Sequence, residues 1–182
     1  SKINFLQLNI YNKEEIKKIL ISIKPDILFY FAGQSSPQIS FLKKKKTFKS
    51  NLYGCKNILE TIHKYNINCK FLNATSSEMY GKIHSKIKLS STKRPVNPYG
   101  KAKKLSFNLV KKYREKYKLK TYNAIIFNTE SYLREKNFLI PKICLAAIKA
   151  YKYGKKTSFN NILVSREWNW CDEQSNYLIK FL

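Results

Sequence analysis

The stretch CKFLNATSSEMYG, residues 69–81, begins as an apolar run with strand character and ends in small and polar residues. Two other runs, INFLQLNI at 3–10 and TYNAIIFN at 121–128, are also predicted strands. The run PDILFYFAG at 25–33 is continuously apolar and closed by a glycine, which is typical of a strand buried on both faces. Helical patterns separate these runs. This alternation predicts an α/β fold, an open parallel sheet with helices on both faces.

The predicted helices follow from the spacing of apolar residues and from the residues at the helix ends. In the segment NKEEIKKILISIK, Asn12 is the predicted N-cap of the first helix. The apolar stripe of that helix is predicted to comprise Ile16, Ile19, Leu20 and Ile23. The other predicted helices are the second half of 47–66, residues 99–118, and a helix in 138–154 that ends at Gly154. The side chains of the 99–118 helix expected to face inward are those of Leu105, Leu109, Val110 and Tyr113.

Polar clusters follow three of the predicted strands. They are AGQSS at 32–36, ATSSEMYG at 74–81 and NTESYLR at 128–134. The carboxyl ends of parallel strands meet at one edge of a sheet, and ligands of open parallel sheets bind there. The clusters therefore predict a ligand site at this rim.

A Tyr four residues before a Lys can transfer a proton on one helix face, but the spacing alone is weak evidence. With 13 Tyr in a Lys-rich chain, chance alone produces about two such pairs. The chain contains Tyr99/Lys103, Tyr132/Lys136 and Tyr151/Lys155. Only the first pair, in NPYGKAK at 97–103, opens a helix after the strand that delivers Ser76 and Glu78 to the rim. The other two pairs are predicted to face solvent.

Six motifs occur in one order along the chain: FYFAGQSS, NLYGCKNILETI, NATSSEMYG, NPYGKAK, FNTES and REWNW. In order and spacing they resemble the extended short-chain dehydrogenase/reductase family, most closely its GDP-mannose 4,6-dehydratase branch. The resemblance implies a Rossmann-like domain and a nucleotide-sugar 4,6-dehydratase that acts on GDP-mannose with bound NADP. A related nucleotide-sugar epimerase or reductase is the first alternative. A degenerate, non-catalytic basic binding module is the second.

The resemblance also implies four catalytic residues. Tyr99 takes the proton of a sugar hydroxyl, and the ammonium of Lys103 is expected to lower the pKa of Tyr99 and to anchor the nicotinamide ribose. Ser76 holds the sugar O4. Glu78 matches the base that removes the C5 proton before water leaves C6. An epimerase needs no such base, so Glu78 favours the dehydratase.

The remaining residues matched by the resemblance concern binding. The cofactor positions are Asn9, Ile10, Phe31, Ala32, Gly33, Gln34, Ser35, Tyr99, Lys103, Thr129 and Arg134. The substrate positions are Ser76, Asn128, Lys142 and Arg166. Asn51 matches a structural Asn or Asp, and Thr129 stands where the family has His. No metal site is expected, since the chain has only two His and four widely spaced Cys.

The family's glycine-rich turn, which cradles the cofactor pyrophosphate, is absent from the sequence. We therefore expect an internal fragment, incomplete at both ends and inactive alone. Residues 1–135 are interpreted as a partial NAD(P)-binding domain and 136–182 as the start of the nucleotide-sugar-binding region. The full-length protein is expected to form a homo-oligomer.

The net charge of +25 raises the question of nucleic-acid binding. The excess is nearly all Lys and is spread along the chain, whereas bidentate phosphate and base contacts favour Arg. We therefore expect no specific nucleic-acid partner. No apolar run is long enough to span a bilayer, so no membrane role is expected. Reduced cysteines and a cytoplasmic location are the expected setting.

Overall fold

The computed structural model describes residues 3–83, 85–159 and 165–182, and it divides into two units, residues 1–126 and 127–182. Each unit is described by itself. The strands of the first unit are β1 (Ile27–Tyr30), β2 (Lys70–Ser76) and β3 (Thr121–Ile126). Its α-helices are α1 (Lys13–Ile23), α2 (Pro37–Leu42), α3 (Lys44–Phe48), α4 (Gly54–Lys64) and α5 (Pro98–Tyr117). A π-helical turn (Lys49–Tyr53) joins α3 to α4, and a 3₁₀ turn (Ser77–Met79) follows β2.

The three strands form a parallel sheet in the order β1-β2-β3. Tyr30 pairs with Asn73, and Ser76 pairs with Ile126, so the carboxyl ends of all three strands lie at one edge. β2 is the central strand, and six of its seven residues are buried. The residues that follow β1 and β2 therefore leave the sheet at the same rim, as the sequence predicted.

The core of the first unit joins three helices to one face of the sheet. Ile16 on α1, Leu59 on α4 and Val110 on α5 belong to the same buried cluster as Tyr30 and Phe71. Complete burial of such a side chain stabilises the fold by roughly 1.5–3 kcal/mol. Burial in this cluster therefore fixes the three helices against β1 and β2.

The first helix forms as predicted. The Asn12 side chain accepts hydrogen bonds from the backbone N–H groups of Glu14 and Glu15, which caps α1. Ile16 and Leu20 are buried, but Ile23 is exposed, so the predicted apolar stripe ends one turn early. The chain leaves α1 through Lys24, whose left-handed backbone ends the helix.

The prediction for the buried face of α5 was wrong at Leu105. Tyr99, Lys103, Ser106 and Val110 are buried, whereas Leu105 is 38% exposed. At about 100° per residue, Leu105 projects about 120° away from the centre of this stripe. Besides Val110 and two tyrosines, the buried face of α5 includes the small or polar residues Ala102, Lys103 and Ser106, and this helix packs against β2 and β3.

Two predictions for strands were also wrong. Residues 3–9 contain no strand, and Phe5 is 90% exposed, because no strand in the described part of the chain pairs with this segment. β1 is not buried on both faces, since Ile27 and Phe29 are exposed. Among the described residues β1 has a strand neighbour on one side only, which makes it an edge strand.

The second unit contains strands β4 (Asn128–Glu130) and β5 (Trp168–Trp170), which pair in parallel. Helix α6 (Leu139–Tyr153) ends at Gly154, whose φ of 62° is left-handed, as its position in the sequence predicted. Helix α7 (Cys171–Phe181) starts directly after β5 and packs against β4 and β5. In the described ranges, no helix combines the length and the apolar character needed to cross a membrane.

Candidate active site

Ser76 and Glu78 are placed by the end of the central strand. Ser76 is the last residue of β2, and its hydroxyl oxygen accepts a 3.2 Å hydrogen bond from the backbone N–H of Glu78. This bond starts the 3₁₀ turn that carries Glu78. Met79 and Tyr80, both buried, anchor the turn from the other side. The strand end and the buried anchor together hold the half-buried Glu78 side chain at the rim.

The helix that carries Tyr99 begins at the same rim. Asn97 is its N-cap, and the side-chain oxygen of Asn97 accepts a 2.7 Å hydrogen bond from the Gly100 N–H. Pro98 occupies the first helical position, where a missing N–H costs nothing. Tyr99 therefore stands in the first turn of α5, and it is 9% exposed.

Gly100 lets this helix approach the turn after β2. A Cβ atom on Gly100 would overlap the carbonyl oxygen of Glu78 and would lie 2.9 Å from its carbonyl carbon. It would also lie 3.2 Å from the Cβ of Pro95. The absence of a side chain at this position therefore brings Tyr99 and Glu78 to one place.

A direct hydrogen bond also joins the two segments. The side-chain amide of Asn97 donates to Oε2 of Glu78 at 2.7 Å. Asn97 is 8% exposed and Glu78 is half-buried, so this bond is partly shielded from water. The carboxylate of Glu78 is thus tied to the N-terminus of the helix that carries Tyr99.

Tyr99 and Lys103 lie on the same face of α5, as predicted from their spacing. The Lys103 ammonium nitrogen is 5.7 Å from the centre of the Tyr99 ring, and it donates a 2.7 Å hydrogen bond to the Ala74 carbonyl. Burial lowers the pKa of Lys103 to about 8, and a smaller interaction with Cys55 opposes this shift. A lysine with this pKa is still mostly protonated at neutral pH.

The expected lowering of the Tyr99 pKa by Lys103 was wrong for this structure. Burial raises the pKa of the Tyr99 hydroxyl, hydrogen bonding with Ser76 lowers it, and the charge of Glu78 raises it, so that the net shift is upward. The largest cause is the burial of the hydroxyl, and the Lys103 ammonium donates its hydrogen bond to the Ala74 carbonyl. The phenol is therefore coupled to Ser76 and Glu78 and is held in its protonated form.

Hydrogen bonds with the π-helical turn hold the loop that follows β1. Asn51, which is fully buried, donates from its side-chain amide to the carbonyl oxygens of Gln34 (2.9 Å) and Thr47 (3.0 Å). The N–H of Gln34 donates to the Ser50 hydroxyl. Gly33 has a φ of 146°, and a Cβ atom there would lie 2.6 Å from the Asn51 side-chain oxygen. The lack of a side chain at Gly33 therefore lets Asn51 pack against this loop, which lies on the same rim as Ser76.

Three other predicted cofactor residues belong to that loop, and Asn9 and Ile10 precede α1. Phe31, Ala32 and Ser35 are exposed in the loop. Ile10 is half-buried, and its carbonyl oxygen accepts a 3.1 Å hydrogen bond from the Asn57 side chain on α4. Asn9 is exposed and turns its side-chain oxygen back onto the N–H of Tyr11.

Gly81 and Arg94 are the two ends of a loop that lies next to the site. The N–H of Arg94 donates to the Tyr80 carbonyl at 3.3 Å, and a Cβ atom on Gly81, where φ is 75°, would overlap the Arg94 carbonyl oxygen. The Lys93 ammonium lies 5.1 Å from the centre of the Tyr80 ring, a cation–π distance. The two ends of the loop are therefore joined next to the 3₁₀ turn.

In the second unit, Asn128 and Thr129 are held by hydrogen bonds within that unit. The Asn128 amide donates to the Glu167 carbonyl at 3.0 Å, and the Thr129 hydroxyl donates to the Gln174 side-chain oxygen at 2.6 Å. These bonds join β4 to β5 and to α7. The family resemblance assigns Asn128 to substrate binding and Thr129 to cofactor binding, so these bonds engage the polar atoms of both residues.

Arg134 faces a carboxylate in this unit. Its Nε atom lies 3.8 Å from the Glu130 carboxylate, and its guanidinium stacks 3.6 Å from the centre of the Phe138 ring. In the described part of the chain, neither Nε of Arg134 nor Oε2 of Glu130 has a hydrogen-bond partner, although both atoms are buried. Lys142 and Arg166, the predicted phosphate-facing residues, are exposed.

The other two Tyr–Lys pairs lie on the surface, as predicted. Tyr132 is 78% exposed and Tyr151 is 91% exposed. Among the described residues, no group of three or more His, Cys, Asp or Glu side chains could hold a metal ion.

Sequence reasoning missed Asn97 and Gly100. Both stand in the quoted NPYGKAK motif, and an Asn directly before a Pro is a recognisable N-cap signal. The contact between Asn97 and Glu78 has no comparable signal, because it joins segments 19 residues apart.

Comparison with known proteins identifies related chains. A family model described as GDP-mannose 4,6 dehydratase matches residues 1–182. The GDP-mannose 4,6 dehydratase of Drosophila melanogaster is 32% identical over 161 residues, covering 86% of this chain and 41% of that protein. The human GDP-mannose 4,6 dehydratase is 32% identical over 156 residues, covering 83% and 42%. The chain thus spans about two fifths of the length of these relatives.

Solved structures share the fold. RMD from Pseudomonas aeruginosa, complexed with NADPH, superposes with a TM-score of 0.82 at 23% identity, covering 95% of this chain and 61% of that chain. DesIV from Streptomyces venezuelae, a dTDP-glucose 4,6-dehydratase with NAD and TYD bound, gives a TM-score of 0.79 at 20% identity, covering 93% and 51%.

Proposed function

Because the chain belongs to the GDP-mannose 4,6-dehydratase family, we propose that its full-length protein converts GDP-mannose into GDP-4-dehydro-6-deoxy-mannose with bound NADP. The observation that carries this proposal is the meeting of Ser76, Glu78 and Tyr99 at one rim. A dehydratase needs one group for a hydroxyl proton and a separate base for a carbon-bound proton. The rim supplies both.

The residues at the rim fit a nicotinamide dinucleotide. Gly33 presents bare backbone in a conformation that disfavours any other residue, and Asn51 fills the space that a side chain there would need. We propose that Gly33, Gln34 and Ile10 contact the dinucleotide and that Lys103 contacts its nicotinamide ribose. The chemistry that such a cofactor would supply is the uptake of a hydride from the sugar and its return. The NADPH in the related RMD structure supports NADP.

The proposed proton transfers balance. The phenolate form of Tyr99 accepts the O4 proton as C4 becomes a ketone, while the Ser76 hydroxyl holds O4. Glu78 accepts the C5 proton, which the neighbouring ketone makes acidic. One of these two protons leaves with the C6 hydroxyl as water, and the other returns to C5 after hydride reaches C6. The net change is the loss of one water molecule.

Tyr99 and Glu78 act at different steps, and their environments fit different tasks. Because burial raises the pKa of Tyr99, its phenolate is a strong base toward the O4 proton, and the neutral phenol that results can return that proton later. Glu78 is half-buried, and its carboxylate accepts a hydrogen bond from the Asn97 amide. Tyr99 is therefore suited to exchange a proton with the sugar hydroxyl, and Glu78 is suited to remove a proton from carbon.

The test is incubation of the full-length protein with GDP-mannose and NADP, followed by the product mass. Loss of water is expected, and Tyr99→Phe should reduce turnover by at least about 100-fold. Glu78→Gln should block dehydration while NADP binding persists. Wild-type turnover by Tyr99→Phe would remove Tyr99 from this role.

The same assay separates the alternatives. A product with the mass of the substrate would indicate an epimerase. Failure to bind NADP, together with binding of DNA or RNA that persists at high salt, would indicate a basic binding module.

We further propose a cytoplasmic, homo-oligomeric full-length protein with reduced thiols. Cys55 and Cys69 are buried and unpaired by disulfides. Burial raises the pKa of the Cys55 thiol to about 12, which keeps it protonated and unreactive. Mass spectrometry after alkylation of the native protein tests the thiol state.

A further inference from the structure

We infer that Asn97 is a positioning residue that orients the Glu78 carboxylate toward its proton-transfer role. The inference rests on the proposed function for the step that Glu78 performs. The orientation itself is a property of the rim that is measurable without turnover.

Both ends of the Asn97 amide are in use. The oxygen accepts from the Gly100 N–H and the nitrogen donates to Oε2 of Glu78, each at 2.7 Å. A flipped amide would set its NH₂ group against the Gly100 N–H and its oxygen against the carboxylate. Both contacts would then be repulsive, so the network permits one orientation only.

The backbone keeps this amide in place. Asn97 has an extended conformation, with φ −137° and ψ 160°, which is the region that the following Pro98 favours. The side chain is 8% exposed and has little room for another rotamer. Asn97 therefore acts as a fixed donor aimed at the carboxylate.

Capping alone does not explain why this residue is Asn. Ser and Asp cap helices about as well as Asn does. Asp would place a second negative charge against Glu78, and the Ser hydroxyl is too short to cap Gly100 and reach the carboxylate together. Among these capping residues, only Asn both accepts from the helix and donates to a neighbouring carboxylate.

The first test compares crystal structures of the full-length wild type and Asn97→Ser. Because Ser retains the cap, α5 is expected to start at the same residue, while the Glu78 carboxylate moves away from its wild-type position. A carboxylate that stays in place in Asn97→Ser overturns the inference. This readout does not require turnover, so it remains decisive if GDP-mannose is not the substrate.

The second test measures kcat, KM and uptake of solvent deuterium at C5 of the sugar. For Asn97→Ser we expect kcat and deuterium uptake to fall by about 10- to 100-fold with KM nearly unchanged, since a small misplacement of a reacting group has this effect. Asn97→Asp should lose more, because its charge repels the carboxylate. Equal, wild-type values in both variants overturn the inference and leave Asn97 as a cap.

If the wild type dehydrates no nucleotide sugar, the proposed function fails and the crystallographic comparison alone decides the role of Asn97. If the wild type is active and both variants unfold more easily with unchanged kcat, Asn97 serves stability only. The two failures are therefore distinguishable.

Discussion

Gly100 and Glu78 are in backbone contact across the rim, at a separation that no residue with a side chain at position 100 can adopt. This contact brings the first turn of α5 against the 3₁₀ turn after β2. The positions of Tyr99 and of the Glu78 carboxylate both depend on it.

Gly100→Ala is expected to lower the free energy of unfolding by about 1–3 kcal/mol, because the added methyl group meets backbone atoms that cannot rotate away. The better helix propensity of Ala, about 1 kcal/mol, opposes this loss without cancelling it. Urea denaturation measures the change. The control is Lys101→Ala, at an exposed position of the same helix, which should stay within about 0.5 kcal/mol of wild type. A Gly100→Ala variant as stable as wild type would contradict the contact.

Lys103→Met is expected to change the pH dependence of stability. The folded-state pKa of Lys103, about 8, lies below its ordinary value of 10.5. Between about pH 8 and about pH 10.5 the unfolded chain therefore binds more protons than the folded chain does. As the pH rises through this range, Lys103 consequently makes the free energy of unfolding of the wild type increase. The variant lacks this gain, so its stability relative to wild type should fall by roughly 2–3 kcal/mol between about pH 7 and about pH 10.

Urea denaturation of both proteins at the two pH values measures this difference. Titrations common to both, including those of the tyrosines, cancel in the comparison. Lys101→Met is the control and should follow wild type at both pH values. If the difference in the free energy of unfolding between Lys103→Met and wild type is the same at both pH values, the lowered pKa of the buried Lys103 is contradicted.

Gly33→Ala is expected to cost about 1–3 kcal/mol of stability, from the unfavourable φ and from the contact with Asn51. A double-mutant cycle separates the two causes. Asn51→Ala removes the obstructing oxygen, so the double variant should be about 1 kcal/mol more stable than the sum of the single effects. Strictly additive effects would assign the whole cost to the backbone conformation. The same variants of the full-length protein should bind NADP more weakly.

Leu105→Ala is expected to cost less than about 1 kcal/mol, whereas Val110→Ala should cost roughly 2 kcal/mol. Leu105 is 38% exposed and Val110 is fully buried on the same helix. A buried Leu would cost about 2–5 kcal/mol when replaced by Ala. Thermal or urea denaturation of the two variants therefore decides which face of α5 points inward.

The family resemblance and the Rossmann-like parallel fold, both predicted from ordered motifs, are confirmed. Local signals were reliable where the cause was local: Asn12 caps α1, and Gly154 ends α6. The predicted strand at 3–10 was wrong, because a strand requires a neighbouring strand to pair with, and composition does not reveal one. The prediction for Leu105 was wrong because the buried stripe of α5 includes small and polar residues, such as Ala102, Lys103 and Ser106, which an apolar pattern does not detect.

Within the candidate site, the sequence predicted the meeting of Ser76, Glu78 and Tyr99 at one rim. It did not predict the direction of the Tyr99 pKa shift, which is set mainly by the burial of the hydroxyl. The role of Asn97 was likewise hidden, since its partner Glu78 is distant in sequence. The assignments of the binding residues in the second unit stay predictions.

The two ends of the loop between Gly81 and Arg94 are in contact with each other, so the loop can change without moving the residues that flank it. An insertion or deletion between these residues leaves both anchor points, and with them Glu78 and Tyr99, where they are. Each doubling of loop length costs only about 0.6 kcal/mol in closure entropy. The segment between these residues can therefore change in length and sequence at small cost to the fold, while Glu78 and Tyr99 keep their positions.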